Sequence, residues 1–92
     1  MPSVRVRVRV RVRGHGSRRR LSYRTANLAG ARVQFVEQGG DARRVIGTTR
    51  GPRGTLRFRP AAGTARRRQI AAIVVRGGFV QTVRVAARYR AR

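Results

Sequence analysis

Valine and arginine alternate without a break from Val4 to Arg13. A strict period of two sends successive side chains to opposite faces of an extended backbone, so this stretch has one valine face and one arginine face. No helix can sort the two residue types in that way, and the segment is predicted as a half-buried strand about 33 Å long. The same alternation returns in shorter pieces. Leu21 and Tyr23 share one face, Val33 and Phe35 another, and Leu56 and Phe58 alternate with Arg57 and Arg59. Apolar spacing at i, i+3 and i+4 never persists for two turns, so helices are not expected.

Turn chemistry separates these pieces at intervals of about ten residues, the rhythm of a sandwich or barrel. Gly14–Ser17, Asn27–Gly30, Gly39–Asp41, the loop 50–54, the small residues 61–65 and Gly77–Gly78 are the breaks. They delimit seven strands: 4–13, 20–25, 31–37, 44–48, 55–59, 69–76 and 79–90. Residues 70–75 are apolar on both faces, the pattern of a central strand covered on both sides. The expected core is Leu21, Tyr23, Val33, Phe35, Leu56, Phe58, Ile70, Val74, Val83 and Val85. Val83, Val85, Ala87 and Tyr89 are placed inward on the last strand. Ninety-two residues suffice for one domain, read as 1–92 with 4–13 as its first strand.

Charge is the second constraint. The formal net charge is +22, from 24 basic residues that are all arginine, against Glu37 and Asp41 alone. Arginine, valine, alanine and glycine share GC-rich codons, which explains arginine as a default surface residue without invoking a ligand. A charge of this size nonetheless attracts nucleic acid, acidic glycans and anionic membranes. Cysteine is absent, so neither disulfides nor thiolate metal sites are possible. The longest apolar run is far too short for a membrane-spanning helix, and no apolar h-region follows Met1, so no signal peptide is expected.

Catalytic chemistry has little to work with. His15, the single histidine, lies between two glycines and reads as a solvent-facing loop residue, not a metal ligand. Glu37 and Asp41 read as charge relief among arginines, not as a carboxylate pair for acid–base work. No glycine spacing matches a phosphate loop. An enzyme, a cofactor, a metal site and a small-molecule substrate are therefore not expected. The candidate site is a set of arginine clusters: Arg18, Arg19 and Arg20; Arg43 and Arg44; Arg66, Arg67 and Arg68. Each is placed just before a strand, in connections that a Greek-key sandwich brings to one end, so they are expected to form a basic pole for polyanions. Stacking aromatics and a recognition helix are missing, which leaves contacts to phosphate or sulfate without sequence preference. Arginines that merely keep strand ends soluble are the competing explanation.

Several segments resemble an immunoglobulin-like or fibronectin-type-III-like β-sandwich module of secreted and cell-surface proteins of high-GC bacteria. They are RRLSYR at 19–24, VQFVEQG at 33–39, IGTTRGPRGTLRFRPAAG at 46–63 and RRRQIAAIVVRGG at 66–78. The resemblance implies an antiparallel sandwich of about seven strands in an extracellular or cell-surface setting, although the missing signal peptide leaves a cytoplasmic one open. It further implies a non-catalytic structural or adhesive role within a larger protein, with cell-wall or other anionic polymers as partners. The alternative is a free-standing basic protein that binds nucleic acid or other polyanions through its arginine clusters.

Overall fold

In a computed structural model, residues 6–28, 30–49 and 51–91 are described; Val4 and Arg5, the first pair of the repeat, and Arg50 lie outside them. The described residues form seven strands and no helix: β1 Arg7–His15, β2 Arg18–Ala26, β3 Ala31–Gly39, β4 Ala42–Thr48, β5 Arg53–Phe58, β6 Arg67–Arg76 and β7 Phe79–Arg90. No helix long and apolar enough to cross a membrane is present among them. Two antiparallel sheets result, a three-stranded one in the order β1-β2-β5 and a four-stranded one in the order β4-β3-β6-β7.

The alternation explains the layering. Val6, just before β1, and Val8, Val10 and Val12 on it pack against the core while the arginines between them are exposed. Leu21, Val33, Phe35 and Ile70 are fully buried, with Tyr23, Ala72 and Val74 beside them. The Tyr23 and Phe35 rings lie 5.4 Å apart and join the two sheets. Leu56 and Phe58, expected in the core, are half-buried at its margin because β5 is the edge of its sheet. The β1–β2 hairpin needs Gly14: φ is +114°, and a Cβ there would run into the Arg18 carbonyl.

Two expectations fail on β7. Val83 and Val85 are 58% and 42% exposed. Ile70 pairs with Ala87 but Ala71 pairs with Val85, so Ala86 is one residue too many for the ladder. A bulge of one residue transfers everything beyond it to the opposite face. Ala87 and Tyr89 stay inward, while Val83 and Val85 turn out. The second apolar face of β6 carries no further sheet, yet Ala71 and its neighbour Val36 are each only 2% exposed and Ile73 is half-buried. Val45, Val83 and Val85 share that face of the four-stranded sheet and are exposed.

The turns sort to two ends. Thr25 donates its backbone N–H to the Pro52 carbonyl at 2.7 Å, which joins the β2–β3 and β4–β5 connections at one end. At the other end, Ala91 donates to the Arg66 carbonyl at 2.8 Å, and Arg19 reaches the Ala91 carbonyl at 3.2 Å. The β1–β2, β3–β4 and β5–β6 connections meet there. Arginines dominate that end.

Candidate polyanion-binding surface

The arginine clusters start their strands instead of preceding them. Arg18, Arg19 and Arg20 open β2, Arg43 and Arg44 lie within β4, and Arg67 and Arg68 open β6; Arg66 alone stays in a connection. The alternation therefore splits each cluster between two faces. In β2 the odd positions face the core, so Arg19 turns inward while Arg18 and Arg20 are exposed. In β6 the even positions face the core, so Arg68 turns inward and Arg67 outward.

Arg68 does not belong to a solvent-facing basic pole. Its side chain is 2% exposed and lies against Glu37, which is 0% exposed, with Nη1 3.3 Å from Oε2. Nη1 also donates to the Ala61 carbonyl at 2.8 Å, Nε to Ala65 at 2.7 Å and Nη2 to Gly63 at 3.2 Å. Glu37 is correspondingly no surface charge relief. Its Oε1 accepts the Ala61 backbone N–H at 2.8 Å, and its Oε2 accepts the Tyr89 hydroxyl as well as Arg68. Burial first, and the carboxylate second, hold the Tyr89 phenol well above its ordinary range. The β5–β6 connection is thereby folded over a buried ion pair. Arg19 is also occupied. Its guanidinium lies 5.3 Å from the Tyr89 ring centroid and donates to the Gly16 and Ala91 carbonyls.

What remains divides into two clefts. One is lined by Arg13, Arg18, Arg20, Arg44, Arg57 and Arg59 around the β1–β2 hairpin, together with Arg19, His15 and Phe58; neither carboxylate lines it. The other runs between β3, β6 and β7, with Arg67, Arg68, Arg88 and Arg90 in its wall. Arg43 and Arg66 are exposed and line neither. Among the described residues, no group of three histidine, cysteine or carboxylate side chains could hold a metal.

Sequence reasoning missed a larger assembly on the outer face of the three-stranded sheet. Pairing places Arg9 beside Arg24 and Arg24 beside Arg53, then Arg13 beside Arg20 and Arg20 beside Arg57. Arg11, Ser22 and Thr55 form the row between them, and all nine side chains are exposed. The signal was present, since the arginines in these rows alternate with inward apolar or small residues, except where Arg19 precedes Arg20. Only the cross-strand register shows that they line up. Family models, curated proteins and solved structures were compared with the chain, and none matches.

Proposed function

We propose that this chain is a non-catalytic module of the immunoglobulin or fibronectin-type-III-like kind that attaches a larger surface or secreted protein to an anionic polymer. The module class is supported by a three-stranded sheet opposed to a four-stranded one, with strands that pass between sheets by Greek-key connections. The non-catalytic reading is supported by Glu37, whose two oxygens are both committed inside the fold. The observation that carries the binding role is the carboxylate-free cleft around the β1–β2 hairpin, lined by seven arginines of which Arg19 is engaged within the fold.

Guanidinium forks suit phosphate and sulfate oxygens, which they meet with paired hydrogen bonds. A cleft lined by several of them, with no acid to neutralise it, concentrates anions in its mouth. Arg44 comes from the opposite sheet, so an anion held there bridges both layers. Inorganic polyphosphate tests this directly, by salt-dependent titration of the variant R18S/R44S/R59S against R32S/R84S/R88S. Both lose three exposed charges. The first should lose clearly more affinity and more salt dependence; equal losses would reduce binding to net charge alone.

A further inference from the structure

We infer that the outer face of the β1-β2-β5 sheet is a docking surface for double-stranded DNA, held through the phosphates on either side of its major groove. The inference rests on the polyanion reading above and extends it onto the sheet face, since Arg13, Arg20 and Arg57 border the hairpin cleft while Arg9, Arg24 and Arg53 lie outside it. Arg9, Arg24 and Arg53 form one row across the three strands, and Arg13, Arg20 and Arg57 form a second. Neighbouring strands are about 4.8 Å apart, so each row spans about 10 Å. The rows are four residues apart along each strand, a separation of about 13 Å at about 3.3 Å per residue. The major groove of B-form DNA is about 12 Å wide. The two rows thus match the two phosphate ridges that flank it.

Between the rows the surface drops. A depression there is lined by Ser22, Tyr23, Gly54 and Thr55, with Arg9, Arg13, Arg24 and Arg53 around it and Arg11 at its β1 side. On β2 and β5 the small hydroxyl residues Ser22 and Thr55 leave room for the groove edge, while Arg11 on β1 stands in the middle row. No carboxylate lies on this face, because Glu37 is buried on β3 and Asp41 lies in the β3–β4 turn.

Other polyanions fit less well. Single strands are gripped by aromatic stacking, and no aromatic side chain points outward from this sheet. A bilayer would call for large apolar side chains to insert, and the outward positions are arginine, serine and threonine apart from His15 and Ala26 at the two ends. One glycan chain offers a single line of charge where the protein offers two rows. Duplex RNA presents a deep, narrow major groove and lacks the matching separation. Contacts confined to phosphates carry no base information, so binding is independent of sequence.

The test uses fluorescence anisotropy with a mixed-sequence 20-base-pair DNA duplex, titrated from low to moderate salt. The row variant R9S/R24S/R53S leaves the hairpin cleft intact, since none of the three lines it. It is compared with R32S/R84S/R88S, which removes the same charge elsewhere. Three lost phosphate contacts should lower the salt slope by about 2–3, at about 0.9 per phosphate. The control should lower it by less than about one. Should the serine variant lose its β-sheet circular dichroism, the glutamine variant R9Q/R24Q/R53Q replaces it with the same expectation. Equal slope losses in row and control variants overturn the inference, and so does a row variant that weakens heparin or duplex RNA as much as DNA. If polyphosphate still discriminates R18S/R44S/R59S in that case, the cleft reading survives alone.

Discussion

Removing the Glu37 carboxylate should destabilise the fold by about 3–5 kcal/mol, because it strips a buried arginine of its counter-charge. The magnitude follows from what the carboxylate holds. Arg68 lies 3.3 Å from it at 2% exposure, and water is therefore not positioned to take over. The Ala61 N–H at 2.8 Å and the Tyr89 hydroxyl lose their acceptor in the same step. An orphaned buried donor alone costs about 1–3 kcal/mol. The stability of a single domain is about 5–15 kcal/mol, so Glu37→Ala removes a large share of it. Urea unfolding followed by circular dichroism reads this as a midpoint shift of about 2 M, for a slope near 1.5–2 kcal/mol/M. The double variant E37L/R68M removes both charges together, and should be less destabilised than the sum of its singles. It will not be fully rescued, because the Ala61, Gly63 and Ala65 carbonyls lose the guanidinium that now binds them. A Glu37→Ala cost below about 1 kcal/mol at unchanged slope would refute a desolvated pair. Strict additivity in the cycle would refute the coupling.

Core and surface positions should separate sharply. Phe35→Ala is expected to cost about 3–5 kcal/mol, because the ring is fully buried between the sheets. Val83→Ala should stay within about 0.5 kcal/mol, and a core-sized loss there would place the strand in the other register. Alkaline unfolding tests Tyr89. Its phenol ionises later in the folded chain than in the unfolded one, where the value is about 10. The unfolded state thus binds fewer protons above that pH, and stability falls as pH rises further. Tyr89→Phe should flatten this part of the pH profile relative to wild type, and an unchanged profile would contradict the half-buried hydrogen bond to Glu37.

The strand count and most of the core were legible in the alternation. Leu21, Tyr23, Val33, Phe35, Ile70 and Val74 are buried as their period-two positions require. The failures share one cause, which is that register is a property of pairs of strands. The bulge at Ala86 is set by how β7 meets β6, and nothing in the local pattern of residues 79–90 marks it. The arginine clusters were legible as charge but not as geometry. A strand that begins two residues earlier than expected turned Arg68 from a surface group into the partner of Glu37. The rows on the outer face were invisible for the same reason, since Arg9, Arg24 and Arg53 become neighbours only through two ladders.

Those rows also say something about folding. Like charges placed directly opposite each other across a ladder oppose its formation, and this sheet sets arginine against arginine repeatedly. The valines and leucine on the reverse side hold the strands together against that repulsion. Any polyanion that occupies the face neutralises it, and binds the assembled sheet in preference to the separated strands. Occupancy and folding are then thermodynamically linked: the ligand acts as a counter-ion built to the dimensions of the native state, and midpoint temperature becomes a readout of its concentration.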